Sequence, residues 1–304
     1  MTTAVKEQRT AAAVTPVERR RRLMPRWRDY GRPRELVVRY LLLLFVLGIT
    51  VGPLLWQLLS SLKGVGEDVF GANASLFPSD PTLRAYREVF AQVPVWTYIG
   101  NSMAVVVLSV TSQLVFSTLA GYMLSKPSWK GRKLVWVLLM ASMMFPFESI
   151  MVSLFLSIRD LGLIDHVAGV WLPGFVAAIN VLIMRAAFLA VPREIEDAAM
   201  LDGAGEWKRF RHLYLPSAWG AILVVTINTF ISAWDDFLWP LIVLRTEDHF
   251  TLTLGLARLQ SSSFGYDQRM VMAGSVISVI PVLVLFVITQ RWFYKGVSSG
   301  AVKL

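Results

Sequence analysis

Six stretches of the chain are apolar at nearly every position, with neither a two-residue alternation nor a polar stripe. They run from about Tyr40 to Leu62, Asn101 to Leu124, Leu134 to Leu156, Val167 to Leu189, Ser217 to Leu244 and Met270 to Arg291. A helix that crosses hydrocarbon needs about 20 mostly apolar residues, and each run is long enough. A barrel would need short alternating segments separated by turns. The pattern predicts an all-α integral membrane protein of six transmembrane helices.

The polar connections sort by charge. Residues 1–39, 125–133, 185–215 and 291–304 carry 23 Lys and Arg, whereas residues 63–97, 157–166 and 245–269 carry 7. Positive charge is retained on the cytoplasmic side, so both termini are predicted there, in agreement with an even number of spans. This divides the chain into a basic cytoplasmic arm (1–39), a six-span transmembrane domain (40–291) and a short cytoplasmic tail (292–304). The arm contains Arg19, Arg20, Arg21 and Arg22, followed by Arg26 and Arg28. It reads as a solvated topogenic tail, with contact to anionic lipid as the alternative. A cleaved signal peptide does not fit, because the first apolar run begins some forty residues in and has full span length.

Composition narrows the chemistry. Of 304 residues, 55% are hydrophobic and 17% charged, and the net charge is +9. Beside so much apolar surface, that charge points to a membrane and its lipids rather than to nucleic acid. No cysteine occurs and only three histidines, His166, His212 and His249. A disulfide framework, a thiolate site and a Cys nucleophile are thereby excluded, and a metal centre is not expected. No G-x-x-x-x-G-K-[S/T] string is present to cradle phosphates, and no catalytic constellation occupies a single loop. The chain is therefore not read as an enzyme, and no cofactor is assigned to it.

Within the spans, ionisable residues are functional candidates because burying them is costly. Glu148 falls some fourteen residues into the third run, about 21 Å along at 1.5 Å per residue. It reads equally as a solute contact or gate and as a bond to a neighbouring helix. Asp235 and Asp236 lie about 27–30 Å along the fifth run by the same rise. There they read as helix-end carboxylates, or as groups facing the path. Arg185 is expected to snorkel towards phosphates. Trp96, Tyr98, Trp129, Trp292 and Tyr294 are expected to be interfacial anchors. The long segment 63–97 is available to meet an extracytoplasmic partner.

The most informative polar segment is 190–216, AVPREIEDAAMLDGAGEWKRFRHLYLP. Pro192 suits a first helical turn, and Glu194, Glu196 and Asp197 favour that terminus through the macrodipole. Gly203 and Gly205 interrupt the helix, and a second one is predicted from Glu206 to Tyr214 before Pro216 opens the next span. The outcome is a cytoplasmic helix–turn–helix between spans four and five, with Ala198 and Ala199 as a small-residue patch.

The string Asp197-Ala198-Ala199-Met200-Leu201-Asp202-Gly203-Ala204, followed by Phe210, Leu213, Leu215 and Pro216, resembles the EAA loop of ABC-importer permeases. Asp197 stands where that loop usually has Glu, one methylene longer. Further strings are similar to the carbohydrate-uptake branch, the second permease subunit of the maltose-permease type. They are Ser60-Ser61-Leu62-Lys63, Asn101-Ser102, Met143-Met144-Phe145-Pro146, Trp234 to Leu241, Gln290-Arg291 and Gly296 to Lys303.

The resemblance implies a partner permease, two ATP-binding subunits that hold the ATP, and an extracytoplasmic solute-binding protein. It also implies that the loop is a coupling helix whose rigid-body movement tilts spans four and five. Gly203 would supply the turn, and Asp202, Ala198 and Ala199 the contact. The transported solute would be a sugar or sugar derivative. A self-sufficient channel or secondary carrier for a small polar solute is the competing reading, although no internal repeat of the kind carriers often show is visible.

Overall fold

The computed structural model describes residues 33–126, 129–260 and 267–301. Most of the basic arm and residues 302–304 of the tail lie outside the described residues. The chain divides into two compact units after Pro53. The described part of the first unit is the opening of helix α1 (Pro33–Ser61), which starts with Pro33 and carries Glu35 in its first turn. Proline is tolerated in a first helical turn and a carboxylate there is favoured by the macrodipole. Leu41, Leu44, Phe45 and Ile49 along this stretch are exposed. The apolar segment of α1 has 28 residues, about 42 Å at 1.5 Å per residue, more than a bilayer's hydrocarbon thickness.

The second unit is a helical assembly around one long element. A short amphipathic helix α2 (Arg84–Gln92) buries Ala85 and Val89, four residues apart. Helix α3 (Val95–Ser125) follows at once and is buried along one face at Tyr98, Ser102, Val105, Ser109, Gln113 and Ser117. Its serines and Gly121 let neighbouring backbones approach closely, the usual way helices pack in lipid. A Cβ at Gly121 would lie 2.8 Å from both the Met184 Cβ and the Arg185 amide nitrogen. Helices α4 (Arg132–Ser142), α5 (Phe147–Asp160), α6 (Val167–Trp171) and α7 (Ala178–Leu189) come next. They precede α8 (Arg193–Leu201), α9 (Glu206–Arg209), α10 (Leu215–Ser217), α11 (Trp219–Asp235), α12 (Leu238–Val243), α13 (Leu252–Ala257) and α14 (Gln268–Ala301).

Three helices, α1, α3 and α14, are long and apolar enough to cross a membrane, and three bent pairs qualify if each counts as one span. The protein is thus all-α and multi-span, with between three and six crossings among the described residues. Two of the bends correct runs that hydropathy reads as continuous. The third run breaks by 102° between α4 and α5. Pro146 has no N–H to continue the helix and biases Phe145 away from helical geometry. The fourth bends by 47° after a short turn at Leu172–Gly174 that holds Pro173. The 71° bend beside Pro216 falls at the expected opening of the fifth. The fifth also ends at Asp235, with α12 a separate helix.

Other boundaries shift as well. Helix α3 begins at Val95 rather than Asn101, which places the Asn101 amide inside it, donating to the carbonyls of Asp248 and Phe250. Tyr98 is 1% exposed and is no interfacial anchor. Its ring fills the space over Gly255, where a Cβ would come within 2.1 Å. Two apolar clusters result. One gathers Tyr98, Trp234, Trp239, Leu252 and Met270, and the other gathers Tyr122, Met184, Phe188, Phe210 and Tyr214. Both draw on α3, one near each of its ends.

Candidate functional site

Two features stand out: the hairpin of α8 and α9, and a cavity of mixed apolar and polar lining beside the middle of α3. Pro192 is the extended residue before α8 rather than its first helical residue. Glu194 and Glu196 occupy the first turn, where the helix dipole favours negative charge. The helix ends at Asp202, and Gly203 adopts φ +74°. The Gly203 amide donates to the Met200 carbonyl at 3.0 Å and the Ala204 amide to the Ala199 carbonyl at 2.9 Å. This is the paired bonding of a Schellman cap, which needs a left-handed residue that only glycine supplies without strain.

The predicted loop residues separate on this frame. Asp197, Ala198, Asp202 and Gly203 are exposed, Ala199 and Ala204 half-buried, and Pro216 exposed at the bend. Phe210 is buried, its ring 4.9 Å from that of Tyr122, so it packs inward rather than presenting a surface. Past Arg209 the chain follows a π-helical turn, Phe210–Tyr214, instead of an unbroken α-helix. The most outward groups are ones the motif did not single out. Leu201 is 89% exposed and Trp207 66%, with Ile195 and Met200 also exposed. The available signal was an apolar side chain in a polar connection, where a monomer has no reason to place one.

The cavity has a volume of about 250 Å³ and is lined by Gln113 of α3, Asn180 of α7, and Asn228, Thr229 and Ser232 of α11, with Asp236 and Trp239 at the following break. The Asn180 amide donates to the Gln113 side-chain oxygen at 2.6 Å and to the Thr229 hydroxyl at 3.1 Å. The Gln113 amide donates to the Gly174 carbonyl at 2.8 Å, and its oxygen accepts the Ala177 N–H. Gln113 and Asn180 thus satisfy one another and the bend before α7, as buried amides must. Asn228 reaches Asn180 only at 3.5 Å.

Of the three carboxylates named from sequence, Asp236 lines this cavity. Asp235 is exposed at the end of α11 and Glu148 is exposed in the first turn of α5; neither lines it. A depth for Glu148 counted along a straight helix fails because the helix turns at Pro146. The amides escaped a sequence search directed at ionisable groups. Arg185, expected to reach for phosphates, instead donates to the Leu124 carbonyl at 3.2 Å.

Residues 113–299 match the model of the binding-protein-dependent transport system inner membrane component. The chain belongs to that family. It is a multi-pass permease subunit of an ABC importer in the bacterial inner membrane, in the carbohydrate-uptake branch. The permease is 36% identical to the arabinooligosaccharides transport system permease protein AraQ of Halalkalibacterium halodurans, over 85% of this chain and 93% of that one. It is 29% identical to the diacetylchitobiose uptake system permease protein NgcG of Streptomyces coelicolor, over 88% and 89%. A chain in the crystal structure of a bacterial ABC transporter involved in the import of the acidic polysaccharide alginate superposes with a TM-score of 0.74. That match has 27% identity and covers 87% of the permease and 99% of its counterpart. Membership decides between importer subunit and self-sufficient channel or carrier in favour of the first, and between transport and catalysis in favour of transport.

Proposed function

We propose that this permease forms one half of the translocation path for an oligosaccharide, with six spans and both termini in the cytoplasm. A second permease completes the path, two ATP-binding subunits drive it, and an extracytoplasmic binding protein delivers the solute. Segment 190–216 is the element an ATP-binding subunit grips. The observation that carries this reading is the rigid glycine-capped hairpin displaying Leu201 and Trp207 to solvent. Such an apolar display in an otherwise polar connection fits a partner's cleft, with Asp197, Ala198, Ala199, Asp202 and Ala204 around its edge. Relatives named for arabinooligosaccharides, diacetylchitobiose and lactose support a saccharide solute.

The cavity refines the solute class. Its lining holds amides, hydroxyls, one carboxylate and the Trp171 and Trp239 rings, with no Lys or Arg. Amides and hydroxyls exchange hydrogen bonds with sugar hydroxyls, whereas an acidic sugar would need a cationic partner. The expected solute is therefore neutral, unlike the alginate of the solved importer, and Asp236 is assigned to the path. Glu148 and Asp235, off the cavity, can serve the path only in another conformation.

Gly203→Pro tests the coupling role. Proline cannot adopt φ +74° and would remove the bond to the Met200 carbonyl. The expected result is loss of ATP-driven uptake with the subunit still in the membrane and still joined to its partner permease. Normal uptake by that variant would refute the role.

A further inference from the structure

We propose that the hairpin's movement enters the membrane domain through α3, by a partly buried set of charges and tyrosines that clamps both arms of the hairpin to the end of that helix. Lys126 and Tyr122 are the positioning residues on α3, and Glu196, Glu206, Arg209 and Tyr214 those on the hairpin. The inference rests on the coupling role proposed above. It differs from the sequence expectation that the loop acts on the two spans it joins.

The clamp has two limbs. Lys126 pairs with Glu196 of α8 and donates to the Tyr214 hydroxyl at 2.7 Å. Its ammonium also lies 4.0 Å from the Tyr214 ring centroid and 4.9 Å from that of Tyr122. One turn back, the Tyr122 hydroxyl donates to Glu206 of α9 at 2.6 Å. Lys126 is the residue that follows α3, four positions after Tyr122, so the C-terminal end of that helix holds both arms. Arg209 joins the limbs, bonded to Glu206 and 4.0 Å from Glu196.

Two cations and two carboxylates balance in charge, and the side chains of Lys126 and Arg209 are only 12% and 11% exposed. Burial raises the affinity of the Glu196 carboxyl for its proton. The bonds from Lys126 and Tyr214 and the nearby Arg209 charge outweigh that and hold it below the usual carboxylate range. The Lys126–Glu196 pair, with side chains 12% and 22% exposed, is costly to break singly, whereas Glu206 on the other limb is 57% exposed.

Beyond the clamp, α3 is positioned to pass the movement on. Its last carbonyls are tied outside the hairpin, Leu124 to Arg185 and Lys126 to Arg132. At Gly121 it touches the backbone of α7 directly, so α3 and α7 shift together. Gln113 lies nine residues from Tyr122, about 13 Å along the same helix, and lines the cavity with Asn180 of α7. A displacement delivered at Lys126 therefore reaches both amides. The clamp also has spare bonding capacity, since Nε of Arg209 is buried without a partner, and a π-helical turn sits directly beside it. Such turns are frequent at functional sites.

The test is the number of solute molecules moved per ATP hydrolysed by the complete importer in proteoliposomes. Lys126→Met should lower that ratio about tenfold while the ATPase rate stays near normal, because the hairpin still engages its ATPase but no longer drags α3. Lys126→Arg should restore most of it, and so should exchanging the charges in the double variant Lys126→Glu with Glu196→Lys. Tyr122→Phe keeps the ring packing and removes only the bond to Glu206, so it should lower the ratio about threefold even if the lysine variants fail to assemble. An unchanged ratio in Tyr122→Phe and Lys126→Met would overturn the proposal. So would uptake and ATPase falling in proportion, which marks a merely structural role. Failure of the coupling reading itself would look different: no contact between hairpin and ATPase at all.

Discussion

The two ends of α3 are fastened by opposite means. Near Val95 the fastening is shape and neutral hydrogen bonds. Tyr98 fits over Gly255 with no room for a methyl group, the Ser102 hydroxyl accepts the Leu252 amide at 2.8 Å, and Asn101 holds two further carbonyls. Near Ser125 the fastening is charge: Lys126, Glu196, Glu206 and Arg209 among tyrosines. A close-packed contact has one arrangement and transmits strain without rearranging. A polar network can trade partners at a cost set by how well the new bonds replace the old. The first end is suited to anchoring the helix and the second to being pushed.

The largest effect should come from spoiling the shape-matched end. Gly255→Ala drives a Cβ to 2.1 Å from the Tyr98 ring, and overpacking of that severity costs about 3 kcal/mol. The expected outcome is a sharp loss of folded complex in detergent melting, partly recovered by adding Tyr98→Ala. At the charged end, Tyr122→Phe removes one bond to a carboxylate, worth about 2 kcal/mol, so the melting temperature should fall less while transport suffers more. A reversal of that order would erase the contrast between the ends.

In the hairpin hung from the charged end, Gly203→Ala meets open space and only a strained φ, about 1 kcal/mol. Melting should hardly change and uptake should drop several-fold; unaltered uptake would mean the cap geometry is irrelevant to transport.

The smallest expected effect is of pH. At the charged end, burial pushes the Glu196 carboxyl up, but the bonds from Lys126 and Tyr214 pull it down further, leaving it below its ordinary range. Depressed carboxylates contribute stability above their unfolded pKa and lose it only as pH falls through the folded value. The charged fastening should therefore persist from about pH 8 to about pH 5. A melting curve that shifts across that range would show that some other titrating group governs one end.

Much of this arrangement was legible from sequence, unevenly. The apolar runs followed from the chemistry of crossing hydrocarbon, and the turn at Gly203 from its position after a helical segment. Two bends were not, because averaged hydropathy passes straight through Pro146 and Pro173, whereas the break at Pro216 was expected. Proline alone would not have sufficed, since Pro53 and Pro281 lie inside continuous helices. The tertiary surroundings decide which proline becomes a break. The clamp was invisible for another reason: Lys126 meets residues 70 and 88 positions away, and no local spacing reports such pairs. The cavity amides were passed over because uncharged Gln113, Asn180 and Asn228 hardly disturb an apolar run, and Tyr98 was misread from its place near a span end.

The most direct test of the central claim uses the absence of cysteine from the chain. Single substitutions Leu201→Cys and Trp207→Cys, with Phe77→Cys in the segment 63–97 as the control, can be crosslinked in the assembled importer. The account expects the two hairpin positions to capture the ATP-hydrolysing subunit and Phe77→Cys not to. Capture from Phe77→Cys, or none from the hairpin, would contradict it.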